Sequence, residues 1–329
     1  MKRVTISDIA RAADVSRATV SYALNDRPGA RMSDATRQLV LSTAESLGYQ
    51  GSPAARALRI GRGEVVLLLL PDWSTTGELG RVLSEVGRRT ADIGLVCLRY
   101  EGPDWKGRLR ELLGMVTAAA VVTFEPLSPS DTAAVETAGI PEVRAWLLDS
   151  KSHPHTTHIH QSDIVQAQVN HLLERGSASL AFVAATEDRD LPFVEARRGA
   201  FRRICAERRL NLAGDVVLSE GVNELGELLP GWIREGQPLG VVAFSDPSAV
   251  AVATAAAQCG LSVPEQVKVI GVDDSALATL VAPALTSIHF DLASEAASVA
   301  AELADVLSLP APPPAQLAAP VAVVARAST

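Results

Sequence analysis

Val4-Thr5-Ile6-Ser7-Asp8-Ile9-Ala10-Arg11-Ala12-Ala13-Asp14-Val15-Ser16-Arg17-Ala18-Thr19-Val20-Ser21-Tyr22-Ala23-Leu24-Asn25 holds two short helical patterns joined by a tight turn. Thr5 with Asp8 three residues later is a capping-box spacing, and it opens a helix with apolar positions at Ile6, Ile9, Ala10 and Ala13. That helix is expected to stop near Asp14. Ser16 can cap a second helix, in which Val20 and Leu24 lie four residues apart with Ala23 beside them. The remaining stripe is Arg17, Ala18, Ser21, Tyr22 and Asn25, most of which can hydrogen-bond to base edges or phosphates. A third helix is expected from Ser33 to Leu47, with Thr36, Val40, Ala44 and Leu47 at helical spacing and Gly48 as its stop. Two helices and a turn of this kind place the start of the second helix in a DNA groove, and Arg17 and Ala18 fall there.

Charge separates this head from the rest. The 329-residue chain has a net charge of −8, which taken alone speaks against nucleic acid. Residues 1–62 hold ten basic and five acidic side chains, a net of +5, so the remainder carries −13. A basic head on an acidic body is the electrostatic footprint of a small DNA-binding module attached to a domain that DNA repels.

Beyond residue 63 short Val- and Leu-rich runs alternate with helical stretches. Strands are expected at Val65–Leu70, Ile93–Leu98, Ala119–Phe124, Val143–Leu148, Leu180–Ala184, Val216–Leu218, Val241–Phe244 and Val267–Val272. Between them Gly80–Thr90, Val165–Arg175, Glu195–Arg209 and Pro247–Cys259 read as helices. The alternation predicts an α/β body with two parallel sheets in two lobes, and a cleft where strand C-termini meet. Pro310-Ala311-Pro312-Pro313-Pro314 reads as a stiff connector before a last strand.

Several function classes are disfavoured. The longest apolar run is far short of a membrane span, and no apolar stretch follows Lys2 and Arg3, so neither a membrane partner nor a secretory leader is expected. This points to the cytoplasm and the nucleoid. Cys97, Cys205 and Cys259 are too widely spaced for a disulfide framework or metal site and read as reduced core residues. His153, His155, His158 and His160 cluster without a cysteine, and read as a solvated loop rather than a metal site. No Gly-x-Ser-x-Gly, Walker A or Gly-x-Gly-x-x-Gly pattern is present, so neither enzymatic activity nor a cofactor is expected.

The stretch from Val4, Val-Thr-Ile-x-Asp-Ile-Ala-x-x-Ala-x-Val-Ser-x-x-Thr-Val-Ser-x-x-Leu-Asn, resembles the headpiece signature of the lactose/galactose repressor (LacI/GalR) family of bacterial transcription regulators. Looser likeness follows at Arg197-Arg198-Gly199-Ala200-Phe201, Ala243–Asp246, Gly260–Asp274, Pro283–Ile288 and Val324–Thr329. The resemblance implies a helix-turn-helix headpiece at 1–48, a hinge at 49–62 and a body at 63–329 with the fold of periplasmic sugar-binding proteins. The N-lobe would be 63–161 with 291–318, and the C-lobe 162–290 with 319–329, with three crossings between them.

The resemblance also implies roles. On a pseudo-palindromic operator it places Arg17, Ala18, Ser21, Tyr22 and Asn25 at the bases, and Thr5, Ser7, Ser16, Ser33 and Thr36 near phosphates. Ser52, Ala55, Arg56 and Leu58 would belong to a hinge segment that becomes helical on DNA, with Leu58 as a minor-groove wedge. It places Asp72, Trp73, Glu125, Phe193, Arg197, Asp246, Asp273 and Phe290 around a small effector, expected to be sugar-like. A homodimer is implied, acting as a ligand-responsive repressor; the alternatives are a regulator of the same fold that has lost its effector and a solute-binding protein. Departures occur at Tyr22, where the family usually carries Arg, at Gly51 and Ser52 in the hinge, and at Ser74–Gly77, His160-Gln161 and Phe290 in the cleft. The altered cleft looks less sugar-like than usual for the family.

Overall fold

The computed structural model describes residues 4–25, 32–49, 62–73, 77–145, 160–185, 191–219, 221–290, 293–313 and 321–329. It divides into two compact units, Met1–Gly63 and Glu64–Thr329. The hinge residues Ser52, Ala55, Arg56 and Leu58 lie outside the described residues, as does most of the histidine cluster.

The first unit is built by α1 (Ile6–Ala12), α2 (Arg17–Asn25) and α3 (Asp34–Ser46). Its core is Ile9, Ala10, Ala13, Val20, Ala23, Val40 and Ala44, with Tyr49 packed alongside. Each helix start is tied down locally. The Asp8 carboxylate accepts from the Thr5 amide at 2.9 Å and its hydroxyl at 2.6 Å, closing the box at α1. The Thr19 amide donates to Ser16 Oγ at 3.0 Å, and the Thr36 amide to Ser33 Oγ at 3.1 Å. The turn after α1 sits on Asp14 at φ +51, a left-handed conformation that Asp tolerates better than most residues. At the end of α3, Gly48 at φ +64 lets the Tyr49 amide reach the Ala44 carbonyl and its own amide reach Glu45, a Schellman closure. Leu47, expected on the buried stripe, is instead 38% exposed, because it is the C-cap of α3 and lies beyond the last core turn.

The second unit carries two sheets. In the N-lobe, β1 (Val65–Leu69), β2 (Val96–Tyr100), β3 (Ala118–Thr123) and β4 (Glu142–Arg144) lie in the order β2-β1-β3-β4, all parallel. Helices α4 (Gly77–Asp92), α5 (Leu109–Met115) and α6 (Pro129–Ala138) follow the first three strands. β1 and β3 are buried on both faces, which is why they read as continuous apolar runs.

In the C-lobe, α7 (Gln161–Glu174) leads into β5 (Ser179–Ala185), α8 (Leu191–Arg208), β6 (Leu212–Leu218), α9 (Val222–Trp232), β7 (Leu239–Ala243), α10 (Asp246–Gln258), β8 (Val267–Val272), α11 (Ala276–Leu280) and β9 (Thr286–Phe290). The chain then supplies α12 (Ala293–Val306), which packs on α4 and buries Ala296, Val299 and Leu303 in the N-lobe core. It ends with β10 (Val321–Val324), which lies beside β9 in the C-lobe sheet.

One expectation is corrected here. The C-lobe sheet, in the order β10-β9-β8-β7-β5-β6, is not wholly parallel: β10 runs antiparallel to β9. Unlike the other strands of this sheet, β10 arrives after the excursion to the N-lobe and not through a βαβ crossover, so nothing imposes the parallel direction.

The last residues are stitched into this sheet. Ser328 Oγ accepts from the Thr286 amide at 2.8 Å and donates to the Val269 carbonyl at 2.6 Å, while His171 Nε2 and Thr329 Oγ1 lie 2.8 Å apart. Burial, with the neighbouring Arg175 charge, holds the His171 pKa below its ordinary 6.5. The folded chain therefore binds fewer protons than the unfolded chain just below pH 6.5, and this contribution to stability is lost as pH falls through the folded value. Urea midpoints should decline on acidification from about pH 6.5, and His171→Gln should flatten that decline.

Among the thiols, Cys205 is buried and its pKa is pushed up to about 11, mainly by burial and secondarily by Asp215. The native protein at pH 7.5 should leave Cys205 unalkylated by iodoacetamide, with modification appearing once denaturant is added. Mass mapping of the modified peptide checks this.

Candidate functional site

The head presents one side of α2. Val20 and Ala23 are buried, whereas Arg17, Ala18 and Tyr22 are exposed and Ser21 is half-buried. At 100° per residue, Arg17, Ala18, Ser21 and Tyr22 form one outward stripe over the first turns of the helix. The helix N-terminus and Arg17 are both suited to phosphate or base-edge acceptors. Thr5 and Ser33 are exposed, and Ser7 and Thr36 half-buried, at the starts of α1 and α3. Ser16 and Ser33 have their hydroxyls engaged in capping, each with a second contact of 2.8 Å to the Thr three residues on. The side chain of Asn25 lies outside the described residues.

In the body the cleft follows from strand order. Each sheet reverses direction of winding beside its first strand, between β1 and β3 in the N-lobe and between β5 and β7 in the C-lobe. In open α/β sheets, ligands bind at the carboxyl ends of strands flanking such a switch. The segments leaving those ends carry Asp72 and Trp73 after β1, Glu125 after β3, Phe244 to Asp246 after β7, and Asp273 after β8.

The two walls meet through aromatic rings. Trp73 from the N-lobe and Phe193 from α8 stand edge to face, with ring centroids 4.8 Å apart and planes at 69°. Phe193 packs against the cores of both lobes. Asp72 beside Trp73 is exposed.

The polar members are held by specific neighbours. Arg197, 6% exposed, donates from Nε to Gln161 Oε1 at 2.8 Å and from Nη1 to the Phe244 carbonyl at 2.5 Å. Its guanidinium carbon lies 4.8 Å from the centroid of the Phe244 ring, a cation–π stack. Glu125 meets Lys106 Nζ at 2.5 Å.

Asp246 is completely buried at the start of α10 and accepts from the Ser275 amide and hydroxyl and from the Ser287 hydroxyl. Burial raises its pKa, and those three bonds work in the opposite direction. There is no space for a Cβ at Gly271, which would run into Asp246 Oδ1. Asp273 has φ +99 and Asp274 φ +45, so two successive non-glycine residues adopt a disfavoured conformation where β8 enters the cleft. Asp274 is bound by Arg326 at 2.5 Å. Phe290 ends β9, and its side chain lies outside the described residues.

Sequence reasoning did not single out Lys106, Ser275, Ser287 or Asp274, whose roles depend on contacts between distant segments. Arg326 lay in a stretch noted only for its likeness. Among the described residues no group of three His, Cys, Asp or Glu side chains is placed to hold a metal, and no helix is long and apolar enough to cross a membrane.

A capped three-helix head with a basic sequence, and a two-lobed α/β body with a cleft at its switch points, define a two-part DNA-binding regulator. Residues 5–52 match the model for bacterial regulatory proteins of the lacI family, and residues 169–329 that for a periplasmic binding protein-like domain. The chain is 29% identical to the transcriptional regulator GalR of Escherichia coli, over 93% of this chain and 91% of that protein. It is 27% identical to catabolite control protein A of Priestia megaterium, with 87% of each covered. Among solved structures it resembles the Lac repressor dimer bound to operator and the anti-inducer ONPF, with a TM-score of 0.77, 20% identity and 99% of each chain covered. It also resembles a CelR–cellobiose complex, with a TM-score of 0.59, 19% identity, and 99% of this chain and 100% of that chain covered. Head and body are thus each similar to parts of bacterial transcription regulators of the lacI type.

Proposed function

We propose that this protein is a homodimeric repressor that binds a pseudo-palindromic operator through its heads and is released by a small sugar-like metabolite in the interlobe cleft. The observation that carries the DNA reading is the outward stripe of α2, with Arg17, Ala18, Ser21 and Tyr22 on a helix whose other side is core. Asn25, Thr5, Ser7, Ser16, Ser33 and Thr36 complete the head's contribution, and Ser52, Ala55, Arg56 and Leu58 the hinge's. The dimer is supported by the edge strand β2, which leaves Val96 63% and Leu98 44% exposed side by side at the rim of the N-lobe sheet. Two-fold pairing doubles the phosphate contacts and matches the symmetry of the site.

For the effector, Asp72, Trp73, Glu125, Phe193, Arg197, Asp246, Asp273 and Phe290 are the proposed surroundings. The strained backbone at Asp273 supports a functional role for that loop. A second reading, a regulator that no longer answers an effector, is favoured by one observation. Asp246 and Glu125, carboxylates suited to sugar hydroxyls, are engaged by Ser275, Ser287 and Lys106.

Selection from a random duplex pool with the full-length protein tests the DNA role. Enrichment of a two-fold symmetric sequence is expected, and a pool that stays random overturns the reading. On the selected site Leu58→Ala should weaken specific binding by at least about tenfold, since the wedge lets the bent duplex wrap more protein. Non-specific binding, which is set by phosphate charge, should hardly move. Equal losses in both would remove the wedge role.

A further inference from the structure

We propose that Trp73 and Phe193 form an interlobe latch, in which each lobe supplies one ring and the pair holds the two cleft walls together. Trp73 follows β1 at the N-lobe switch point, and Phe193 stands in the first turn of α8, after β5 at the C-lobe switch point. Trp73 is only 5% exposed. Part of that burial comes from the other lobe, since the ring centroids are 4.8 Å apart in an edge-to-face arrangement. Phe193 is the single partly buried residue packed against both the N-lobe core of Val66, Leu68 and Leu70 and the C-lobe core of Phe182, Val194 and Phe201, among the described residues.

The consequence is regulatory. An edge-to-face pair shifts a two-state balance by roughly two- to tenfold in favour of the joined arrangement. A molecule that needs the walls apart must overcome that preference, and its apparent affinity falls by the fraction of chains already parted. A molecule that binds with the rings in contact is helped by the same amount. Trp73 is thereby part of the switch itself, whether or not it also touches an effector. The inference does not depend on DNA binding, and its test uses none.

Tryptophan emission reads the latch directly. The contribution of Trp73 is the difference between the unmodified chain and Trp73→Phe, which removes one of the four tryptophans. That difference spectrum should be blue-shifted and poorly quenched by acrylamide. In Phe193→Ala it should shift to the red, and its quenching slope should rise at least about twofold as the walls part. Phe193→Leu, which keeps apolar volume but removes the ring, is the second variant should the alanine form fail to fold, and small-angle scattering should show a larger radius of gyration in it. A Trp73 signal that stays blue and equally protected in a folded Phe193 variant overturns the latch, because Trp73 would then be buried by its own lobe alone. A red, freely quenched Trp73 in the unmodified chain overturns it as well.

Discussion

Asp246→Ala is expected to lower the unfolding free energy by about 3–5 kcal/mol, the range found when a buried charge network loses its acceptor. The carboxylate has no exposed surface, and it takes the Ser275 amide at 2.7 Å, the Ser275 hydroxyl at 2.8 Å and the Ser287 hydroxyl at 2.6 Å. Alanine would leave the buried Ser287 hydroxyl and both donors of half-buried Ser275 without their acceptor. It would also remove a negative group from the first turn of α10, where the helix dipole favours one. Three segments would lose their common anchor: the start of α10, the turn before α11 and strand β9. The last two carry the Asp273–Asp274 corner and the edge that receives β10.

Asp246→Asn provides the control. Its carbonyl can still accept from the Ser275 amide, and serine hydroxyls can turn to accept from the new amide nitrogen, so the loss should be well below that of alanine. The pH dependence separates charge from shape. Burial raises the Asp246 pKa, so its contribution to stability is greatest in acid and declines as pH rises through the folded value. The asparagine form lacks that decline. It should therefore compare least favourably with the parent near pH 4 and more favourably at pH 7.5, as read from urea midpoints. A constant difference at both pH values would mean that the carboxylate is not buried as a titrating group.

Why Asp246 could be named from the sequence while its partners could not is a matter of range. Strands buried on both faces announce themselves: Val65–Leu70 was expected and Val65–Leu69 is observed, and Val267–Val272 agrees at both ends. Strand β9 was not anticipated, because Thr286, Ser287 and His289 interrupt its apolar pattern. Those residues are polar because distant groups need them, Ser287 for Asp246 and Thr286 for Ser328. The boundary of β2 slipped for a local reason. Gly94 at φ +78 closes the turn after α4, so Ile93 belongs to that turn and the strand begins at Val96. In the head the helical period picks out Ile9, Val20, Val40 and Ala44 as core, failing only at Leu47 beyond the last core turn of α3. Nothing periodic brings Lys106 to Glu125 or Trp73 to Phe193, and such pairs become visible only once the sheets are assembled.

Tyr22→Arg is expected to move the selected operator toward the sequence typical of the family, with a change in base discrimination of about 1–3 kcal/mol at one position of each half-site. Tyr22 is 38% exposed on α2, one turn beyond Arg17 and Ala18 and on the same side of the helix, so its side chain belongs to the stripe proposed to meet the major groove. A phenol offers one hydroxyl and an apolar ring. It can make a single hydrogen bond or pack on a thymine methyl, but it cannot span both acceptors of a guanine edge. A guanidinium can, because its donors form a planar fork that matches O6 and N7. The substitution adds a charge as well, so affinity for every duplex should rise with a steeper salt dependence. The informative quantity is therefore the ratio between sites at fixed salt and not the bare dissociation constant. Site selection with both proteins should show a new guanine preference at the contacted position in the arginine form, and competition binding should place it at roughly tenfold or more. An unchanged selected sequence, together with a uniform rise in affinity, would mean that Tyr22 stands over the phosphates and that base reading on this helix belongs to Arg17 and its neighbours.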